Sequence, residues 1–242
     1  MWLACSLIGN VLLLVILFNE RLHITKAMPE DIDPIFKSGE MGPSKDTEIL
    51  FINHGVSGGI SYYETWIICN LAKKAETIFE FGTCTGRTTW LLATNAPQAT
   101  ITTLTPHPKD LESCRTSQGT DEKTGRNASA ESRFNTFYYQ GTDAEKRIIQ
   151  LFGDSKELDE QPFARKFDLV FIDGSHERSY VESDSKKALA MVKPGGLVVW
   201  HDYRGLGRKK DVFHVLNRLA KKIALVHIEG TWLVAHRAPN PG

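Results

Sequence analysis

"TIFEFGTCTGRTTWLLA", residues 77–93, runs from a short apolar segment through two glycines into a helical pattern. The apolar run predicts a buried strand over residues 77–81, and the residues after the glycines predict a helix over 88–96. A glycine directly after a strand lets the backbone turn sharply and approach a ligand without a Cβ in the way. The stretch therefore predicts a strand–turn–helix unit with a candidate ligand-binding turn.

The same alternation of apolar runs and helical patterns continues along the chain. It predicts a mostly parallel α/β sheet of seven strands with helices on both faces. A polar stretch over residues 105–133 predicts a loop. The chain closes with two apolar runs broken at Glu229 and Gly230, which predict a C-terminal antiparallel hairpin. The other predicted elements are a helix over 62–75 and strands over 99–104, 147–153, 167–173 and 196–202.

Composition limits the classes of partner. Lys plus Arg equals Asp plus Glu at 29 each among 242 residues, so no bulk positive charge favours a nucleic-acid partner. We expect a small-molecule substrate and no nucleic acid. The four cysteines form no C-x-x-C pair and no zinc spacing, which favours free thiols in a reducing compartment. Because their number is even, disulfide pairing stays open.

The N-terminus is the compositional exception, since residues 2–18 carry no charge. A membrane anchor, a signal peptide and a hydrophobic helix packed on the domain are the alternatives. Arg21 and Lys26 would hold the following flank on the cytoplasmic side of a membrane. We therefore expect a cytoplasmic protein, either free or anchored to the cytoplasmic face. The chain divides into a hydrophobic segment 1–26, a connector 27–57 and a main domain 58–242.

The turn after the first strand has its own pattern. Glu80, Gly82 and Gly86 form E-x-G-x-x-x-G, whereas a dinucleotide fingerprint would need glycine at Cys84 and Arg87. The fit to a pyrophosphate is therefore poor. An acid beside a glycine turn suits a cationic ligand, and S-adenosylmethionine carries an ammonium group. The alternative is a turn without a ligand.

Four motifs together carry a resemblance: FEFGTCTGRTTWLLA, IIQLFGDS, FDLVFIDGSHERSYVESD and KPGGLVVWHDY. In order and spacing, over residues 58–237, they resemble the class I S-adenosylmethionine-dependent methyltransferases. More narrowly, they resemble catechol-type and caffeoyl-CoA-type O-methyltransferases and bacterial natural-product and sugar O-methyltransferases. The resemblance implies a Rossmann-like fold. It also implies methyl transfer from S-adenosylmethionine to an oxygen, less readily a nitrogen, of a small molecule.

The resemblance also implies roles for particular residues. Asp154 and Ser155 would lie beside the adenine, with the carboxylate accepting from the exocyclic amine. Thr105 stands where the family usually has an acid that binds the ribose hydroxyls, so weaker cofactor binding, a substitute acid at Asp110 or lost activity all stay open. The remaining implied contacts to the methionine and ribose side are Glu80, Gly82, Thr83, Gly86 and Asp173.

Asp173 and Asp202 each end a predicted strand, and we expect the two strands to be adjacent. Two converging carboxylates repel each other, and a divalent cation such as Mg²⁺ would relieve that repulsion. The resemblance makes both positions metal ligands, and His201 is the third candidate, although an imidazole favours a softer ion. The alternative is that Asp173 contacts cofactor or caps a helix while Asp202 orients His201.

His176 follows Asp173 by three residues and is the candidate general base. A hydroxyl becomes a competent nucleophile as it loses its proton, and an imidazole can accept that proton near neutral pH. Asp173 would contribute to catalysis through the metal, which lowers the hydroxyl pKa. The alternative for His176 is a surface histidine at a helix start.

Two further expectations complete the sequence interpretation. The stretch SGGISYYE, residues 57–64, precedes the first helix of the main domain; the resemblance implies that it approaches the cofactor, and a flexible loop with a helix cap is the alternative. Trp232 is predicted in the core or beside the substrate. A different functional class also stays open, a membrane-tethered binding module that keeps the fold without methylating. A homodimer is the default assembly.

Overall fold

The computed structural model describes residues 23–37, 47–49, 59–107, 109, 134–205 and 210–240. Within them, one eight-stranded sheet has the order β1-β7-β8-β6-β5-β2-β3-β4. Only β8 runs antiparallel to its neighbours. The strands are β1 (Ile24–Ala27), β2 (Thr77–Phe81), β3 (Thr100–Thr105), β4 (Ile148–Phe152), β5 (Phe167–Ile172), β6 (Val192–Trp200), β7 (Leu225–Ile228) and β8 (Val234–Arg237).

Helices cover both faces of the sheet. They are α1 (Pro29–Ile32), α2 (Tyr62–Ala72), α3 (Arg87–Asn95), α4 (Arg178–Met191) and α5 (Lys210–Leu219). Successive strand residues point to opposite faces, so Ile78 packs with the apolar side chains of α2 and α3, and Phe79 packs with those of α4 and α5. The two buried clusters confirm the predicted α/β fold.

The strand count differs from the prediction of seven. The additional strand, β1, pairs in parallel with β7 through Ile24 and Leu225. It spans the boundary between the segments 1–26 and 27–57, which the sequence interpretation placed outside the sheet. Its four residues, ITKA, are too short and too polar to give a period-two signal, and its partner lies at the other end of the chain.

The predicted membrane anchor finds no support in the described part of the chain. None of the helices there has the length and apolar character needed to cross a membrane. Residues 2–18, on which that prediction rests, lie outside the described residues.

The sheet order creates a switch point. From β2 the chain adds β3 and β4 on one side, and it then adds β5 and β6 on the other side. Ligands of such sheets bind beyond the carboxyl ends of the strands at this reversal. The pairing of Phe81 with Ile172 sets Gly82 beside Asp173, and the pairing of Ile172 with Trp200 leads on to His201.

Candidate functional site

Gly82 forms the turn after β2. Its φ is +101°, and a Cβ at this position would lie 2.3 Å from the carbonyl oxygen of Asp173. Its N–H donates to the carbonyl of Leu104 at 2.9 Å. Glycine is therefore required because the ends of β2 and β5 approach each other closely.

Gly86 is the N-cap of α3, with a φ of +73°. A Cβ here would lie 2.8 Å from Phe137 Cβ and 2.9 Å from Tyr139 Cε1. These two rings stack at 5.3 Å and are buried. Protein side chains therefore cover this side of Gly86, and packing explains the glycine without a ligand.

Glu80 is completely buried below the turn. Its Oε2 accepts hydrogen bonds from the hydroxyls of Thr89, at 2.5 Å, and Thr103, at 2.7 Å. Its Oε1 has no hydrogen-bond partner among the described residues. Burial raises the pKa of Glu80 to about 7; the threonine hydrogen bonds oppose this rise, and the charge of Asp173 adds to it. The carboxyl group does not reach the solvent-exposed edge of the sheet.

A neutral network extends from Glu80 to β4. Thr83 and Thr103 share a hydrogen bond of 2.8 Å between their hydroxyls, and the Gln150 amide donates to Thr83 at 3.1 Å. Tyr139 donates to the same amide at 2.7 Å. The Thr83 hydroxyl thus forms its hydrogen bonds with the side chains of Thr103 and Gln150. We call Glu80, Thr83, Thr89, Thr103 and Gln150 the threonine region.

Two further sequence candidates lie at the ends of β3 and β4. Thr105 is buried, and its carbonyl accepts the N–H of Gly153 at 3.0 Å. Asp154 is partly exposed, and its carboxylate accepts from the Tyr180 hydroxyl at 2.8 Å and from the Lys156 N–H at 2.9 Å. β3 separates this position from β2, so Asp154 lies two strands away from Glu80.

The ends of β5 and β6 bring four sequence candidates together. Ligand atoms of Asp173, His201 and Asp202 all lie within 4.8 Å of one another. His201 Nδ1 lies 3.0 Å from Asp173 Oδ1 and 3.5 Å from Asp202 Oδ2. His176 Nε2 lies 2.6 Å from Asp202 Oδ2. Asp202 therefore contacts His176 more closely than His201.

Two residues that were not named as site candidates, Glu64 and Arg204, complete this group. Glu64 Oε2 lies 3.5 Å from His201 Nε2, and Arg204 Nε lies 2.7 Å from Asp202 Oδ1. The guanidinium of Arg204 also lies 3.6 Å from the ring centre of Trp232, which is 40% exposed and therefore outside the core. Glu64 lies in the stretch 57–64, which the sequence marked only as a segment near the cofactor or a loop with a helix cap. We call Glu64, Asp173, His176, His201, Asp202 and Arg204 the histidine cluster.

Glu64 forms a capping box with Ser61 at the start of α2. Ser61 Oγ accepts the Glu64 N–H at 3.2 Å, and Glu64 Oε2 accepts the Ser61 N–H at 3.0 Å. Glu64 Oε1 accepts the N–H of Trp232 at 2.6 Å. The Glu64 side chain thus caps α2, accepts a hydrogen bond from the β7–β8 turn and lies close to His201.

Charge balance sets the protonation states in the histidine cluster. Burial lowers the pKa of His201, but Asp173, Asp202 and Glu64 together raise it well above its ordinary value. Burial likewise raises the pKa of Glu64, yet the hydrogen bonds to His201, Trp232 and Ser61 bring it down to about 2. The pKa of Asp202 is also held low, because His176 and His201 outweigh the effect of burial. Glu64 and Asp202 are therefore ionised around a cationic imidazole.

Comparison with known proteins identifies the family. The model of a methyltransferase domain matches residues 79–203, more than half of the chain. The chain belongs to this methyltransferase family. The resemblance that the motifs carry is thereby confirmed. No curated protein matches the sequence of this methyltransferase.

Solved structures share the fold of the methyltransferase. An SAH-bound methyltransferase from Podospora anserina has 16% identity and a TM-score of 0.51, over 74% of this chain and 80% of that one. A protein assigned as a caffeoyl-CoA O-methyltransferase from Staphylococcus aureus has 16% identity and a TM-score of 0.51, over 75% and 86%. The O-methyltransferase TomG from Streptomyces achromogenes, in complex with SAM, has 19% identity and a TM-score of 0.49, over 74% and 82%.

The donor set of the methyltransferase fits a divalent ion. Two carboxylates and one imidazole are close enough to bind a single cation, and its binding would displace the proton that makes His201 cationic in its absence. A mixed nitrogen and oxygen set favours Mn²⁺, Fe²⁺ or Zn²⁺ over Mg²⁺. Such an ion would share Asp202 with the guanidinium of Arg204.

Proposed function

We propose that this methyltransferase transfers the methyl group of S-adenosylmethionine to an oxygen, less readily a nitrogen, of a small-molecule acceptor. The observation that carries the proposal is the contact of 2.6 Å between His176 and the buried Asp202, at the carboxyl edge of the sheet next to the switch point. A histidine paired with a buried acid is the arrangement of an oriented general base.

The pair gives His176 a defined proton-accepting atom. When Asp202 accepts a hydrogen bond from the Nε2–H of His176, the neutral imidazole carries its lone pair on Nδ1. That nitrogen takes the proton of the acceptor hydroxyl as the oxygen becomes nucleophilic. Arg204 and His201 keep Asp202 ionised, so Asp202 stabilises the imidazolium that forms.

The cofactor contacts of the proposal fall on both sides of the switch point. Asp154 would accept from the adenine amine, since each of its oxygens accepts one protein hydrogen bond and has a second lone pair. Backbone groups of Gly82 and Thr83, together with Asp173, would line the methionine side. When bound, S-adenosylmethionine supplies an electrophilic methyl group on a sulfonium. Thr105 would offer a single hydroxyl to the ribose.

A divalent ion held by Asp173, Asp202 and His201 is part of the proposal as an assisting group. When bound, it would lower the pKa of the acceptor hydroxyl. Asp173 would then contribute to catalysis as a ligand, while His176 keeps its role as the proton acceptor.

Calorimetric titration with S-adenosylmethionine and S-adenosylhomocysteine tests the cofactor site. We expect heat of binding and a raised unfolding temperature. Absence of both at millimolar ligand would reject the methyltransferase activity and favour the binding module that keeps the fold.

A panel of catechols, hydroxycinnamoyl-CoA esters and hydroxylated sugars, incubated with methyl-labelled S-adenosylmethionine, tests the transfer. We expect label in at least one acceptor. The same reaction with EDTA, and with Mg²⁺, Mn²⁺ or Zn²⁺ restored, tests the ion. Loss of label with EDTA and its return with Mn²⁺ would support metal assistance, and an unchanged signal would reject it.

Membrane association through residues 1–26 and a homodimer remain predictions for the full chain. Flotation with anionic vesicles tests the first, and light scattering tests the second. Loss of flotation after removal of residues 1–22 would assign the membrane contact to that segment.

A further inference from the structure

One face of α4 holds the turn that carries Asp154. Tyr180, Asp184 and Lys187 are spaced at i, i+4 and i+7, so they lie on the same side of the helix. All three are buried, which is unusual for an aspartate and a lysine. Each of the three interacts with a residue in the segment 154–158.

Lys187 fixes the backbone of this turn. Its ammonium donates to the carbonyl oxygens of Ser155 at 2.8 Å, Lys156 at 2.7 Å and Leu158 at 2.6 Å. An ammonium has three protons, so all of them are used. Asp184 is buried one turn before Lys187 on the same helix, and its interaction with the Ser155 side chain opposes the rise in the Asp184 pKa that burial causes. The three hydrogen bonds of Lys187 therefore hold the main chain of the turn, and Asp184 lies beside it.

Tyr180 fixes the carboxylate itself. Its hydroxyl donates to Asp154 Oδ2, while the Lys156 N–H donates to Oδ1, so rotation of the carboxylate would break both bonds. The ammonium of Lys156 lies 3.9 Å from the ring centre of Tyr180 and donates to Ser179 at 2.9 Å, which holds the ring in place. Asp154 is partly exposed, so the fixed group remains accessible to a ligand.

We propose that Tyr180 is a positioning residue for adenine recognition: with Asp184 and Lys187 it holds the Asp154 carboxylate towards the exocyclic amine of the cofactor base. This inference rests on the proposed function. It assigns to α4 the selectivity for an amino group over a carbonyl at position 6 of the purine. A carboxylate with fixed orientation accepts from an amine and repels a carbonyl oxygen.

Paired titrations with S-adenosylhomocysteine and S-inosylhomocysteine measure this selectivity. For the unmodified protein we expect the adenosyl ligand to bind about 10- to 100-fold more tightly, because a charge-assisted hydrogen bond is replaced by a repulsive contact. Tyr180→Phe removes one hydroxyl, and we expect the ratio to fall at least about threefold. Asp154→Asn should bring the ratio near one, since its amide can donate to the carbonyl.

Two adjacent lysines give a matched control. Lys187→Met should lower the affinity for S-adenosylhomocysteine and also the ratio of the adenosyl to the inosyl affinity. Lys186 is exposed, so Lys186→Met should change neither quantity. If Lys187→Met fails to fold, Tyr180→Phe, with its unfolding temperature measured, decides the matter alone. An unchanged ratio in folded Tyr180→Phe would overturn this inference and leave the proposed function standing. Failure of the unmodified protein to bind S-adenosylhomocysteine would overturn both.

Discussion

The threonine region and the histidine cluster lie at the same edge of the sheet, yet they shift the pKa of buried carboxyl groups in opposite directions. In the threonine region, the hydrogen-bond partners of Glu80 among the described residues are neutral hydroxyls, and burial raises its pKa to about 7. In the histidine cluster, the cations of His201 and Arg204 accompany the carboxylates, and the pKa of Glu64 falls to about 2. The partners, and not burial itself, decide the state of a buried acid.

The difference separates two tasks. A carboxyl group that titrates near neutral pH within a neutral network supports the turn after β2 without placing a fixed charge under it. Ionised carboxylates around two imidazoles and a guanidinium provide the electrostatic field that a proton transfer needs. The substitutions below test this division, from the largest expected effect to the smallest.

His176→Gln should lower the turnover number by about 10²- to 10⁴-fold, because the substitution removes the general base. The measurement is formation of S-adenosylhomocysteine with the acceptor found in the panel. His23→Gln, at an exposed position, is the control and should keep full activity. Equal activity of the two variants would remove His176 from the mechanism.

Asp202→Asn should lower the free energy of unfolding by about 3–5 kcal/mol, because it leaves buried cations without their acid. Urea unfolding at pH 7 measures the loss. Asp143 is fully exposed, and Asp143→Asn should stay within about 0.5 kcal/mol of the unmodified protein. A small effect of Asp202→Asn on the free energy of unfolding would mean that the stability of the histidine cluster does not depend on the charge of Asp202.

Glu80→Gln should raise the free energy of unfolding above neutral pH, whereas Asp202→Asn lowers it. Folding raises the pKa of Glu80 above its unfolded value. The contribution of Glu80 to the free energy of unfolding is therefore complete below pH 4.5 and is lost as the pH rises through about 7. Gln cannot ionise, so the variant should be more stable than the unmodified protein by about 1–3 kcal/mol at pH 8. This advantage should disappear near pH 5.

Urea unfolding of both proteins across this pH range measures that difference. Glu157→Gln, at an exposed position, should show no such pH-dependent gain. A variant that is less stable than the unmodified protein at pH 8 would show that Glu80 is ionised and paired in the folded state.

Ser61→Ala should cost about 1 kcal/mol through loss of the cap of α2, whereas Ser61→Gly should cost only a few tenths. Thermal unfolding measures both. The small size of this effect would show that Glu64 is held mainly by His201 and the Trp232 N–H. A cost above about 3 kcal/mol would mean instead that the cap itself holds Glu64 in the histidine cluster.

Much of the fold could be predicted because its signals are local. Buried strands contain apolar runs such as LVFI at residues 169–172, and the predicted strands recur in the structure within a few residues. β1 was missed because its pairing with β7 depends on residues at the opposite end of the chain. The convergence of Asp173, His176, His201 and Asp202 followed from adjacent parallel strands. Arg204 carried no motif, so its contact with Asp202 could not be predicted.

The sequence alone determined the alternation of strands and helices, the glycine that the turn after β2 requires, and the acids and imidazoles that follow β5 and β6. These properties depend on residues close together in the chain. Tertiary structure decided that Asp202 contacts His176, that Thr89 and Thr103 surround Glu80, and that Tyr180 reaches Asp154. Charge states and hydrogen-bond partners depend on what folding brings within a few ångströms, and residue order does not specify that distance.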